Sequence, residues 1–212
     1  MDAGVLPVKS PRRAKSRLDG PLGSAGRIAV AEALYEDALA LVAGCDFLTW
    51  WVVSDDDDIL RRGAERGLET VHDAGEGLNR AVADAVAAAA RAGALSVMVV
   101  AADLPLARPQ DLRDVLDTGA TSDVVLVPSD AGGTNVLYLS PPDVLDPQFG
   151  VHSLGAHMGA ADALELRATI LSLPALTLDI DTADDLDEFL SRAEDAGPHT
   201  AAAARRARRQ DG

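Results

Sequence analysis

Short runs rich in Val, Leu and Ile alternate with segments of helical periodicity along most of the chain, and that alternation leaves few folds open. Strands are expected over residues 4–8, 46–53, 68–71, 95–101, 123–127, 135–139, 169–173 and 176–180. Helices are expected over 24–44, from the aspartates 55–58 toward Gly67, and over 76–92, 108–118, 153–166 and 183–196. In the first of these, Ile28, Ala31, Leu34, Tyr35, Ala38 and Leu41 recur at helical spacing. The run 95–101 is apolar almost throughout, as a central strand covered on both faces requires. The expected fold is α/β, a three-layer sandwich around a mostly parallel central sheet. No repeat or linker divides the chain, so residues 1–196 are expected to form a single domain. Residues 197–212 carry Arg205, Arg206, Arg208 and Arg209 and have no apolar anchor beyond alanine, so they read as a disordered tail.

Composition narrows the function classes. Hydrophobic residues make up 48% and aromatics only 3%, so the core must be built from Ala, Val and Leu. Cys45 is the only cysteine, which excludes an internal disulfide and a cysteine-based zinc cluster. Neither a signal-peptide pattern nor a stretch of membrane-spanning length is visible, so a cytoplasmic setting without a membrane partner is expected. The formal net charge of -15 argues against a nucleic-acid partner. An anionic ligand approaching such a surface needs local cations or a divalent metal ion.

Local cations are concentrated in one place. Both lysines of the chain, Lys9 and Lys15, lie directly after the first expected strand, together with Arg12, Arg13 and Arg17. An ammonium acts on phosphate oxygens as a point charge and a guanidinium as a fork, so the mixture suits a polyphosphate. A solvated basic loop is the simpler alternative. The loop is neither a P-loop nor a dinucleotide fingerprint, because the glycine patterns of both are missing.

In open α/β sheets ligands bind outside the carboxyl ends of the strands, so the residues after each strand are the candidates. Asp103, in Ala102-Asp103-Leu104-Pro105-Leu106, could hold a divalent ion or cap the turn. Gly75-Glu76-Gly77-Leu78-Asn79 opens a helix whose exposed amides favour an anion or a base edge. Gly132-Gly133-Thr134 offers amides and a hydroxyl, or simply a hairpin turn, and Phe149-Gly150-Val151-His152-Ser153 has the same character. Asp179 and Asp181 share a strand face beside Thr182, an expected cap for the last helix. The run Asp55–Asp58 is read as complementing a helix dipole rather than as a cation site. His152 and His157 are too few and too isolated to suggest a metal cluster.

Taken in order, Pro7-Val8-Lys9, Ala14-Lys15-Ser16-Arg17-Leu18, Gly77-Leu78-Asn79, Ala102-Asp103-Leu104-Pro105-Leu106, Gly132-Gly133-Thr134-Asn135, Phe149-Gly150 with Ser153, His157 and Asp179-Ile180-Asp181-Thr182 resemble one family. It is the 2-phospho-L-lactate / phosphoenolpyruvate guanylyltransferases of coenzyme F420 biosynthesis, within the nucleotidyltransferases of glycosyltransferase-A-like fold. The resemblance spans residues 5–186 and implies a nucleotide-diphospho-sugar transferase-like fold. It further implies that GMP passes from GTP to the phosphate of phosphoenolpyruvate or 2-phospho-L-lactate, releasing pyrophosphate, with Mg²⁺ as cofactor. By the same resemblance Pro7, Lys9, Lys15, Arg17, Gly77 and Asn79 would hold the nucleotide, and Thr134, Gly150 and Ser153 the phosphorylated acid. Asp103, Asp179 and Asp181 would hold the metal, with Lys9, Lys15 and Asp103 as the catalytic set. Val151-His152 departs from the pattern, where a smaller Pro-Gly-like pair is expected. A different acceptor, such as a molybdopterin or a sugar phosphate, and a nucleotide-binding module without turnover remain the alternatives. Self-association into a homo-oligomer is left open.

Overall fold

The structure, a computed structural model, describes residues 1–194 and 196–210. Seven strands form one sheet: β1 (Asp2–Pro7), β2 (Thr49–Ser54), β3 (Glu69–His72), β4 (Ser96–Val100), β5 (Val124–Pro128), β6 (Thr134–Leu139) and β7 (Ala168–Ile170). Their order is β3-β2-β1-β4-β6-β5-β7. β6 runs antiparallel to both neighbours, and every other pairing is parallel. Side chains alternate across the sheet as the pleat demands. Val5, Val97, Val99, Leu126 and Leu137 enter one apolar layer. Leu6, Met98, Val100, Val127 and Val136 enter the other. β4 is buried at all five positions, as a sheet centre covered on both faces requires.

Helices cover both faces. α1 (Asp19–Ala43), α2 (Asp57–Ala64) and α4 (Pro109–Gly119) supply Tyr35, Leu39, Ile59, Leu112 and Val115 to one layer. α3 (Leu78–Arg91) and α5 (Ser153–Ala163) supply Ala81, Val82, Ala85, Val86 and Ala161 to the other. α1 is broken at Gly23 (φ 63, ψ 163), so its continuous part begins at Ser24, where the sequence pattern begins it. The remaining helices are α6 (Pro174–Thr177), α7 (Ala183–Arg192) and α8 (Pro198–Gln210).

Two expectations are overturned here. Residues 176–180 do not form a strand. Pro174 stands in the first turn of α6, and the segment then runs extended without pairing in the sheet. Leu176, Leu178 and Ile180 are buried in alternation, which imitates a strand in the sequence. Residues 198–210 are not a disordered tail but helix α8, packed on α1. Alanine is enough of an anchor because both helices are narrow at the contact. Ala201, Ala204 and Ala207 are buried, and a methyl placed on Gly26 of α1 would come within 3.0 Å of the Ala207 Cβ. Buried Asp37 of α1 caps the helix in trans, accepting from the His199 and Thr200 amides at 3.1 and 2.8 Å. Residues 211–212 of the expected tail lie outside the described residues, as does residue 195.

Because that cap joins the C-terminal helix to the body, Asp37→Ala should destabilise the fold by roughly 0.5–2 kcal/mol, the usual loss for a capping side chain. Urea denaturation checks this. A midpoint unchanged from wild type would mean that α8 does not depend on its anchor.

Candidate active site

The site lies at the carboxyl ends of β1 and β4, in a cavity of about 930 Å³. The basic loop after β1 forms one wall, and it owes its shape to a residue the sequence reading passed over. Arg27 sits on the buried face of α1 and is 8% exposed. Its guanidinium donates to the carbonyls of Pro11 (3.0 Å), Arg12 (3.0 Å) and Ala14 (2.6 Å), and to Asp19 (3.0 Å). The signal was present: Arg27 shares the helical stripe of Ala31, Leu34 and Ala38, where a charge needs a buried partner. The far side of the loop is tied to the aspartate run by a Ser10–Asp56 hydrogen bond (2.6 Å) and an Arg13–Asp55 ion pair. Asp56 also caps α2, accepting from the amides of Asp58 and Ile59. The run therefore serves a helix end, as expected, and anchors the loop as well.

This clamping turns Lys15 inward. Its backbone adopts the left-handed region (φ 56, ψ 39), which costs a non-glycine residue about 1–2 kcal/mol. A 3-10 turn over Ser16–Leu18 follows and buries Leu18. The Lys15 ammonium then reaches Asp103, just past β4, and Asp181 at 2.9 Å. Burial alone would lower the Lys15 pKa, but the charges of Asp103 and then Asp181 outweigh it and hold the value above the ordinary one. Burial opposes the ionisation of Asp181 too, yet the Lys15 charge keeps its pKa below the usual carboxylate range. Asp179 lies beyond the lysine's reach. Burial and the neighbouring Asp103 charge push its pKa up, and its side-chain partner is the Asn135 amide at 3.4 Å.

Oxygens of Asp103, Asp179 and Asp181 lie within 4.8 Å of one another. Hard carboxylate oxygens are the donors a small divalent cation takes. Lys15 supplies one positive charge against three negative ones, and the Arg17 guanidinium stands 3.8 Å from Asp181. The cluster therefore fits a metal ion. Lys9 is exposed on the cavity wall, and among the described residues it makes no ion pair.

The opposite wall is the expected acid side. Gly132 and Gly133 form the hairpin turn between antiparallel β5 and β6, and the same turn lines the cavity. Thr134 and Ser153 meet there, with hydroxyl oxygens 3.2 Å apart. Gly150 (φ 139) lines the cavity beside them. His152 occupies the left-handed region (φ 60, ψ 26), which explains why a glycine would suit that position. Gly77 (φ 100) precedes α3, and among the described residues no side chain caps that helix start where it faces the cavity. Asn79 is placed differently from expectation. Its amide pairs with both backbone groups of Phe149, donating at 3.0 Å and accepting at 2.6 Å, so it closes the acid-side loop onto α3. Pro7 and Arg17 line the cavity.

A family model described as guanylyl transferase CofC like matches residues 3–201. The chain belongs to this family. A phosphoenolpyruvate guanylyltransferase of Conexibacter woesei is 38% identical to this CofC-like chain over 205 residues, covering 92% of each. One from Streptomyces coelicolor is 37% identical, covering 95% of each. A 2-phospho-L-lactate guanylyltransferase of Methanocaldococcus jannaschii is 28% identical and covers 90% of this chain and 83% of that protein. Among solved structures, one described as a nucleotide-diphospho-sugar transferase from Desulfovibrio desulfuricans G20 superposes with a TM-score of 0.83 at 18% identity, covering 99% and 97% of the two chains. A 4-diphosphocytidyl-2C-methyl-D-erythritol synthase from Anaerococcus prevotii superposes at 0.64 with 11% identity, covering 87% and 92%. These structural likenesses concern the fold, and the fold is nucleotidyltransferase-like. Among the described residues, no helix of this CofC-like protein is long and apolar enough to cross a membrane.

The geometry makes Lys15 and a divalent ion rivals for the same carboxylates. Lys15→Met should therefore tighten binding of Mn²⁺ alone, without nucleotide, by at least about tenfold, one charge-assisted contact being worth roughly 1.5–3 kcal/mol. Asp103→Asn should weaken the same binding. Calorimetric titration with Mn²⁺ checks both, and weaker binding by Lys15→Met would show that the two cations do not compete.

Proposed function

We propose that the protein transfers the guanylyl group of GTP to the phosphate of phosphoenolpyruvate and releases pyrophosphate, in the cytoplasm and as a step toward coenzyme F420. The observation that carries this reading is the meeting of Lys15 with Asp103 and Asp181, with Asp179 beside them, in a CofC-like chain. The choice of phosphoenolpyruvate rests on the bacterial relatives of 37–38% identity that bear its name, against 28% for the 2-phospho-L-lactate relative. The second acid differs from the first by two hydrogens and is the natural competitor.

In this reading the acid's phosphate oxygen forms a bond to the α-phosphorus of GTP, and the bond from that phosphorus to the β-phosphate oxygen breaks. Pyrophosphate carries the electron pair away. A phosphate monoester dianion is already nucleophilic near neutral pH, so the protein need not supply a general base. What it supplies is alignment of two anions and neutralisation of their charge. Lys9, Lys15 and Arg17 contact phosphate oxygens, with Pro7 and Gly77 shaping the nucleotide's side of the cavity. Thr134, Gly150 and Ser153 receive the acid. Asp103, Asp179 and Asp181 would hold Mg²⁺, which supplies Lewis-acid stabilisation of the transferring phosphoryl group when bound.

Mass spectrometry of the product formed from GTP and a panel of phosphorylated acids tests the proposal. Guanylylated phosphoenolpyruvate is the expected product, formed at least as well as that of 2-phospho-L-lactate when the two compete. Exclusive 2-phospho-L-lactate product, or transfer only to a sugar phosphate or molybdopterin, would contradict it. With saturating Mg²⁺, Asp103→Asn should keep a near-native melting temperature and lose at least about 100-fold in kcat/KM, on the order of 2.7 kcal/mol. Near-wild-type turnover would reduce Asp103 to a turn cap.

A further inference from the structure

His157 does not line the cavity, is fully buried, and belongs to no role described so far. Its two ring nitrogens face different partners. Nε2 lies 2.9 Å from the backbone amide of Gln148, and a backbone N–H can only donate. Nε2 must therefore be the bare, accepting nitrogen. In a neutral imidazole the proton then sits on Nδ1, which lies 3.0 Å from the Thr134 hydroxyl oxygen. Burial keeps the ring neutral by driving its pKa down to about 4. The Phe149 ring stands edge-on to the imidazole, with centroids 5.3 Å apart, and fixes its plane.

Protons can now be counted along the wall. Thr134 receives the Nδ1 proton, and one hydrogen bond links Thr134 to Ser153, whose oxygens are 3.2 Å apart. Two hydroxyls bring two protons, and their mutual bond uses one. Among the described residues neither hydroxyl has a further partner, so one O–H remains, on a wall that both residues share with the cavity. Without the imidazole N–H, Thr134 could turn its own proton inward to the ring and leave only lone pairs toward the cavity. Lone pairs would repel an anion.

We propose that His157 is a positioning residue for the acid: by donating from Nδ1 to Thr134 it forces a hydroxyl proton of the Thr134–Ser153 pair to face the cavity, where it donates to an anionic oxygen of the phosphorylated acid. This rests on the reading of that wall as the acid side. The same ring holds the loop through Gln148, so one side chain sets both the loop position and the hydroxyl polarity.

Two substitutions separate these duties. In His157→Gln the amide oxygen can replace Nε2 as acceptor for Gln148, while the donor to Thr134 is lost. In His157→Asn the amide nitrogen can replace Nδ1 as donor to Thr134, while the loop contact is lost. His157→Gln should keep a near-native Tm and raise KM for phosphoenolpyruvate by roughly tenfold or more, the loss expected for a hydrogen bond to a charged group. Its KM for GTP should stay within about twofold. His157→Asn should lower Tm yet hold the acid's KM within about threefold of wild type. Equal rises in acid KM for both variants, or a rise shared by GTP, would overturn the proposal. Nitrogen-15 NMR of the wild-type ring at pH 7 gives an activity-free arm: Nδ1 protonated with Nε2 bare is expected, and the reverse tautomer or an imidazolium sinks the idea. A wild-type protein that guanylylates none of the tested acids would refute the function proposed above, and the NMR result would still decide the hydroxyl polarity.

Discussion

Three carboxylates at the carboxyl edge of one sheet, with a single ammonium among them, set the terms for the rest of this structure. Asp103, Asp179 and Asp181 would repel one another without a cation between them, and Lys15 is the cation the chain itself provides. Holding a lysine there requires a left-handed backbone at Lys15, and that backbone requires a loop with little freedom. Arg27 removes the freedom by gathering three loop carbonyls from inside α1, and Ser10 and Arg13 fasten the outer side to Asp56 and Asp55. The basic loop is thus a fastened part of the charged site rather than only a solvated surface.

The charge excess gives the site its chemistry. One ammonium leaves the cluster two positive charges short of balance, and Asp179, raised in pKa by burial and by Asp103, is the carboxylate that feels the shortage. A divalent ion would fill it. In the function proposed above, a polyphosphate arriving with such an ion would give Lys15 new oxygens to meet, so the same lysine would serve the empty and the filled site. In a protein of net charge -15, Lys15 and a divalent ion together would neutralise these carboxylates, which an anionic substrate at this site needs.

Much of this was legible in the sequence because strand ends are punctuated by residues that strands do not need. Asp103 follows the most apolar run of the chain, and the two lysines follow the first strand, so topology alone brings them together. Where the reading failed, burial had disguised itself. Leu176, Leu178 and Ile180 alternate like a strand although they belong to none of the sheet's strands, and the alanines of α8 looked too small to anchor a helix until Gly26 let it approach. Roles set by tertiary partners were out of reach. Asn79 was expected to face a ligand, yet its amide is taken up by the Phe149 backbone. Arg27 and His157 act through carbonyls and hydroxyls of residues distant from them in the chain or a turn away, and those pairings are made only by the folded structure.

The most direct test of the account is a crystal grown with Mn²⁺ and a non-hydrolysable GTP analogue, with the metal located by anomalous scattering. The account predicts a peak coordinated by Asp103 and at least one of Asp179 and Asp181, with the Lys15 ammonium moved from the carboxylates to phosphate oxygens. A metal peak elsewhere, or Lys15 still paired with Asp103 and Asp181 beside a bound nucleotide, would contradict it.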